Sequence, residues 1–289
     1  MISGFVINLD RDTDTYSTFT RKFQTKNNII KISRFSAIDG KLYRSGRPTD
    51  LSFYARHFAT NKAIGCFKSH LSIWHQIVDQ NLPFAVIFED DVIPVDPEKW
   101  EFQIQSTIQK MMNSRTPWDV ILLGYHSQYL TTESDQNFLL FQTLKFMNYG
   151  KQSHQIGVDK DIISPVTFAG THAYVVSQSG ARKLLKECAI IAKSPVDMRM
   201  VALHVKNKIN VVACVRPIIE TYGANEKRYV EWILCEGIST IGNYEIKSCH
   251  FAMFTIVLLL LFIVTRKTYW LFSVFFVLFF LVILIQPQC

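Results

Sequence analysis

Apolar and polar positions follow two rhythms along the first 247 residues. Short runs rich in β-branched and aromatic residues, at Gly4 to Leu9, Ile29 to Phe35, Phe84 to Phe88, Trp118 to Leu123, Ala173 to Val176 and Val211 to Val215, read as buried strands. Between several of them the apolar spacing changes to three and four. Ile64, Phe67, Leu71, Trp74 and Val78 form the stripe of an amphipathic helix that starts after Thr60 and stops at Asn81-Leu82-Pro83. A second helix is expected from about Pro97 to Met112, and a third after Ser177-Gln-Ser-Gly180, burying Ala181, Leu184, Leu185 and Cys188. Strands alternating with helices predict an α/β domain whose mostly parallel sheet carries helices on both faces. The polar run Asp10-Arg11-Asp12-Thr13-Asp14 reads as a loop after the first strand. The turn-rich stretch from Ser127 to Ser164 reads as an insertion over the site.

The C-terminal part breaks this pattern. From Phe251 to Ile285 the only charges are Arg266 and Lys267. One helix of that length would run about 52 Å, against a hydrocarbon core of about 30 Å. Division at the basic pair gives two spans, about 248–265 and 269–285, each about 26 Å long. The expected organisation is therefore a domain over 1–247 and a transmembrane helical hairpin over 248–289, with one span plus an interfacial helix as the alternative. Short spans suit a thin bilayer of the endoplasmic-reticulum type. The basic hairpin tip prefers the cytosol, whereas an opening stretch without a basic, long apolar signal segment keeps the large domain there. Weighting the second cue, the expectation is a multi-pass membrane protein in contact with the lipid bilayer, its large domain cytosolic.

Charge narrows the partners. The formal net charge is +7, yet no block of five or six like charges occurs, so the concentrated stripe of a nucleic-acid binder is missing and no nucleic-acid partner is expected. Dispersed basic residues suit a phosphorylated ligand or an anionic membrane face. Six cysteines without CxxC spacing read as reduced thiols. No Asn-x-Ser/Thr acceptor and no Gly-rich phosphate loop are present.

The densest chemistry is in Ala85-Val-Ile-Phe-Glu-Asp-Asp-Val92, where three carboxylates emerge from a buried strand. Clustered carboxylates repel one another and raise their pKa values unless a cation compensates, and hard oxygen ligands suit Mg²⁺ or Mn²⁺. A solvated turn after a strand is the plainer reading. Position favours the site, because ligand crevices of open α/β sheets lie at carboxyl ends of strands, where both Asp10-Arg11 and the acidic run are expected.

These blocks carry a resemblance to a known family. Phe5-Val-Ile-Asn-Leu-Asp-Arg11, Arg34-Phe-Ser-Ala-Ile-Asp-Gly40, Ile64-Gly-Cys-Phe-Lys-Ser-His-Leu-Ser-Ile-Trp74, Phe88-Glu-Asp-Asp-Val92, Gly170-Thr-His-Ala-Tyr-Val-Val-Ser177 and Ser194-Pro-Val-Asp197 are similar, in that order, to motifs of glycosyltransferase family 25. That family comprises lipooligosaccharide and procollagen galactosyltransferases. The resemblance covers about residues 2 to 220 and implies a GT-A-like fold, a nucleotide-sugar donor and inversion at the anomeric carbon. The implied reaction moves a hexose, with galactose from UDP-galactose foremost, to a hydroxyl of a glycan, protein or lipid-linked acceptor. Lys62-Ala63 and Lys68 depart from the family pattern, which leaves donor preference open.

Within that frame Asp91 is the expected metal ligand, with Glu89 and Asp90 holding ribose or sugar hydroxyls or a coordinated water. Asn8, Arg11 and Asp39 would fix the nucleotide; each is equally a turn or cap residue. His70 sits beside the apolar stripe of its helix, where a satisfied core histidine is the plain reading and a donor contact the implied one. His172 is a candidate imidazole for metal or phosphate, with core packing as its rival. Asp197 is the candidate base for the acceptor hydroxyl and could equally cap the following helix. Two competing functions are a membrane-bound adaptor that keeps the fold without turnover, and a nucleotidyl or phosphosugar transferase.

Overall fold

The computed structural model describes residues 1–25, 27–46, 48–52, 55, 59–114, 116–126, 161–165, 167–188, 195–221, 237–241 and 244–247. Its centre is a seven-stranded sheet of β1 (Ile2–Asn8), β2 (Ile30–Ser36), β3 (Phe84–Glu89), β5 (Val120–Gly124), β6 (Ile162–Ile163), β7 (Ala173–Ser177) and β8 (Val211–Cys214). The order across it is β2-β1-β3-β7-β5-β8-β6. Strand β4 (Val92–Pro94) leaves the acidic turn to pair with β9 (Ile219–Thr221), and β10 (Gly237–Ile241) pairs with β11 (Tyr244–Lys247).

Alternation along the strands divides the core in two. Ile7, Ile87, Leu122, Tyr174 and Val176 point to one face, where they meet α3 (Asn61–Asp79), α5 (Gln178–Glu187) and α6 (Val196–Val205) through Phe67, Trp74, Leu184 and Met200. Val6, Val86, Phe88, Ile121 and Val175 point to the other, against α1 (Thr13–Lys22) and α4 (Trp100–Asn113) through Phe19, Trp100, Ile104 and Met111. Helix α3 begins where the Thr60 hydroxyl accepts the Ala63 N–H at 3.0 Å. Past its last residue, Asp79, and the cap Gln80, Asn81 with a φ of 54° turns the chain before Pro83.

Helix α2 (Gly40–Ser45) crosses α3 with backbone against backbone. A Cβ on Gly40 would fall 1.8 Å from the Asn61 carbonyl oxygen, and one on Gly65 would fall 2.4 Å from the Ile38 carbonyl oxygen. The Ser69 hydroxyl locks the same crossing, accepting the Ile38 N–H at 2.9 Å and donating to the Gly65 carbonyl at 2.7 Å. These contacts explain Asp39-Gly40 and Ile64-Gly65-Cys66 as sequence motifs, because only glycine fits there.

Three expectations require correction. The sheet is mixed rather than mostly parallel: β1 with β2, β1 with β3 and β5 with β8 run parallel, whereas β7 runs antiparallel to both β3 and β5, and β6 to β8. Period-two alternation fixes which face a side chain takes and is blind to strand direction. The transmembrane hairpin finds no support in the structure. Among the described residues no helix is long and apolar enough to cross a membrane, and α3, the longest, carries Lys62, Lys68, His75 and Asp79. The segments 248–265 and 269–285 lie outside the described residues, and the multi-pass placement in an endoplasmic-reticulum-type membrane falls with the hairpin. Lastly, the polar run expected to be a loop from Asp10 to Asp14 passes directly into α1, anchored by buried Phe19 and Phe23. Residues 127–160 of the expected insertion also lie outside the described set.

Candidate functional site

Parallel pairing of β1 with β2 and β3 brings three carboxyl ends together, with Ile7 opposite Glu89 and Asn8 opposite Ser36. A pocket of about 470 Å³ opens there. Its acidic wall is Glu89, Asp90 and Asp91, with Asp12 and Asp39 nearby, and its basic residues are Arg11, Lys41 and Lys62. Cys66, Ser69 and His70 of α3 complete the wall beneath them. Asp90 and Asp91 form the turn between β3 and β4, so strand pairing holds the acidic run on both sides.

Asn8 is buried and lines none of the pocket surface. Its amide nitrogen donates to Asp90 Oδ2 at 2.5 Å and to the Asp12 carbonyl at 3.0 Å, while its Oδ1 accepts from Arg34 Nε at 2.9 Å. Its position is that of a brace for Asp90. Burial pushes the Asp90 carboxyl above the ordinary aspartate range; the Asn8 donor opposes this and repulsion from Glu89 adds to it. Arg11 pairs with Asp39 across the pocket mouth. Asp39 also caps α2, accepting the Lys41 and Leu42 N–H groups at 2.8 and 3.3 Å. The Arg11 hydrogen bond holds the Asp39 carboxyl below its usual value.

His70 is fully buried, its Nδ1 2.8 Å from the Tyr174 hydroxyl, to which Trp74 Nε1 donates at 2.9 Å. Its Nε2 faces Glu89 Oε1 at 3.7 Å, beyond hydrogen-bond length, and has no hydrogen-bond partner. Burial drives the Glu89 carboxyl up, but the facing His70 ring and the His172 imidazole prevail, leaving its pKa below the ordinary glutamate value. His70 thus joins a core side to a pocket side.

His172 and Asp197 do not line this pocket. They gather around His126, at the end of β5. The His126 and His172 rings meet edge to face with centroids 4.3 Å apart. Burial pushes the His172 imidazole down to about 4, against the pull of Glu89. Gly170 permits that placement: its φ is 86°, and a Cβ there would lie 2.6 Å from His172 Cε1. Asp197 sits in the first turn of α6 and accepts the Gly170 N–H at 2.8 Å and the Met198 N–H at 2.7 Å. Burial raises its pKa despite these two bonds, and Glu89 adds to the rise.

The antiparallel β7 accounts for this second group. Because it runs against β3, its entrance lies at the carboxyl end of β3, where the Glu89 N–H donates to the His172 carbonyl at 2.8 Å. A parallel strand would have placed Gly170, Thr171 and His172 at the opposite edge. His126 and Lys41 carry no signal that singles them out by sequence: each is one polar residue near an element end, and only the fold brings them near the acidic run. Cys66 lies within the Ile64-Gly-Cys block, but nothing in that block marks its thiol as facing the acidic run.

The donor set of the acidic turn fits Mg²⁺ or Mn²⁺. It offers hard oxygens on a braced turn, and the Asp90 carboxyl, raised first by burial and further by the neighbouring Glu89, is one that a bound cation would return to its charged form.

Fold and pocket together define an α/β protein with a crevice at the carboxyl ends of parallel strands, where open α/β sheets take their ligands, faced with carboxylates and rimmed with basic side chains. The chain belongs to glycosyltransferase family 25: residues 1–200 match the family model described as glycosyltransferase family 25 (LPS biosynthesis protein). It is similar to procollagen galactosyltransferase 1 of Danio rerio, 24% identical over 218 residues, covering 71% of this chain and 32% of the relative. It is also similar to the probable inactive glycosyltransferase 25 family member 3 of Bos taurus, 28% identical over 174 residues, covering 56% and 25%. The chain therefore spans about a quarter to a third of the length of these curated relatives. Among solved structures, apo mouse xyloside xylosyltransferase 1 aligns with a TM-score of 0.42 at 8% identity, covering 77% of this chain and 84% of that one.

Proposed function

We propose that this chain is a metal-dependent glycosyltransferase that moves a hexose, foremost galactose from UDP-galactose, to a hydroxyl of a glycan, protein or lipid-linked acceptor. The observation that carries the reading is the pocket itself, where an acidic turn faces Arg11, Lys41 and Lys62 at the carboxyl ends of β1 and β3. Family membership supports it, as does the procollagen galactosyltransferase among the relatives. The catalytic unit is proposed to span 1–247.

Asp91 is the proposed ligand of Mn²⁺ or Mg²⁺, with Glu89 and Asp90 orienting the donor and His172 a further candidate ligand. When bound, the ion would stabilise the charge that develops on the departing diphosphate. Arg11 and Asp39 frame the mouth and would hold the nucleotide, and Asn8 keeps Asp90 in place. His70 would hold the donor side of Glu89. Asp197 is the proposed base for the acceptor hydroxyl, in line with inversion. Its raised pKa brings it closer to neutrality, where a carboxylate is a better proton acceptor.

A non-catalytic role is the second reading, favoured by the relative whose name carries the word inactive. The complete acidic run argues for turnover. The deciding experiment is hydrolysis and transfer from a panel of UDP-sugars, with Mn²⁺ and with chelator. Mn²⁺-dependent release of UDP supports the enzyme; no turnover with any donor overturns it.

A further inference from the structure

We propose that Cys66, His70 and Glu89 form a Zn²⁺ site in the floor of the pocket, chemically distinct from the all-oxygen turn at Asp91. One ligand atom from each lies within 4.8 Å of the others. Cys66 and His70 are four residues apart on α3 and so share a helix face. Glu89 reaches the same point from the end of β3. The independent observation is His70: a fully buried ring whose Nε2 has no hydrogen-bond partner and faces Glu89 at 3.7 Å.

The donor set selects the metal. A thiolate, an imidazole and a carboxylate are ligands of Zn²⁺, whereas Mn²⁺ and Mg²⁺ favour oxygen alone. Bond lengths of about 2.0 to 2.3 Å in a tetrahedral site separate ligand atoms by about 3.3 to 3.8 Å. The His70–Glu89 pair, at 3.7 Å, already has that spacing, and no pair of the trio needs to close by more than about 1.5 Å.

The second layer is also in place. The Trp74 indole can only donate, so it occupies one lone pair of the Tyr174 oxygen. The hydroxyl can then either donate to His70 Nδ1 or accept from it. Either direction leaves Nε2 facing Glu89 at 3.7 Å. With Zn²⁺ on Nε2 the imidazole keeps one proton and carries it on Nδ1, donated to Tyr174, the outer-shell arrangement of metal-bound histidines. The Cys66 thiol releases its proton to solvent as the S–Zn bond forms.

Zinc seated here would withdraw Glu89 from the donor and so act as a brake on turnover. That consequence rests on the donor reading; the site does not. The test uses the full chain in chelator-stripped buffer with Co²⁺ as an optical stand-in for Zn²⁺. Wild type is expected to develop a sulfur-to-cobalt charge-transfer band at one equivalent, displaced by Zn²⁺. Cys66→Ser should abolish the band, and isosteric Glu89→Gln should weaken Zn²⁺ by about tenfold or more. Absence of the band in wild type, or its full amplitude in Cys66→Ser, overturns the proposal. Mn²⁺ uptake followed by electron paramagnetic resonance in Cys66→Ser reads the acidic turn separately, so failure of the two sites can be told apart.

Discussion

The Nδ1 atom of His70 lies 2.8 Å from the Tyr174 hydroxyl, joining helix α3 to the central strand β7. The same hydroxyl receives the Trp74 indole N–H, so one oxygen serves two buried groups. Tyr174→Phe would leave both without a partner, and a buried polar group without one costs about 1 to 3 kcal/mol. The expected outcome is a loss of about 2 kcal/mol in equilibrium urea denaturation with an unchanged m-value. An unaltered midpoint would remove this trio from the determinants of stability.

Gly65→Ala tests the helix crossing. The added Cβ would lie 2.4 Å from a backbone oxygen, and backbone cannot swing aside as a side chain can. Destabilisation of about 3 kcal/mol is expected, at the upper end of ordinary overpacking. The α2 crossing should also loosen, read as faster amide exchange at Leu42 and Tyr43. Wild-type stability would mean that α2 does not pack this way in solution.

Asp91→Asn should abolish Mn²⁺-supported turnover while far-UV circular dichroism and thermal midpoint stay near wild type, because the side chain sits on a turn rather than in the core. Retained turnover would take Asp91 out of the metal role.

Asp197→Asn separates base from scaffold. A carboxyl raised above its ordinary pKa must lose its proton before it can act as a base, so kcat is expected to rise with pH through that raised value. In the variant that acidic limb should vanish and kcat fall by about 10² or more, with donor Kd unchanged. Equal loss of donor binding would assign Asp197 to structure, through its bond to the Gly170 N–H.

Acid stability should depend on His172. Its folded pKa of about 4 lies below the ordinary 6.5, so between those values the unfolded chain binds the proton first. The contribution is complete above pH of about 6.5 and disappears as pH falls to about 4, amounting to at most about 3 kcal/mol. Denaturant midpoints measured with chelator across that window should slope less steeply in His172→Gln than in wild type. Parallel slopes would contradict the buried, neutral ring.

Six of the seven strands of the large sheet and the large helices were legible in the sequence, the strands because burial on both faces makes them continuous apolar runs and the helices because burial on one face imposes a period of three to four. Phe84–Glu89 and Ala173–Ser177 differ by a single terminal residue from their expected spans. Strand direction was not legible, since the run Ala173 to Val176 is as apolar read backwards as forwards. Helix α1 was hidden by its polar surface: buried Phe19, the Phe23 cap and partly buried Tyr16 commit it to the core. In the pocket, Glu89, Asp90 and Asp91 advertise themselves by charge density at a strand end. Arg11, Asp39 and His70 also line it, whereas Asn8 supports it from below and His172 and Asp197 form a neighbouring group. The fold had to supply that division, because it depends on which way β7 enters the sheet.

The glycine-to-glycine crossing of α2 and α3 also limits how this pocket can change. Where Gly40 and Gly65 meet, the frame is backbone, with no side chain to enlarge, shrink or recharge, so that spacing is a constant of the fold. Among the basic residues, Lys41 and Lys62 project from the starts of the two crossing helices and Arg11 from the loop after β1, so they can change without disturbing the crossing. A redesign for a different sugar nucleotide should leave the crossing intact and diversify the rim.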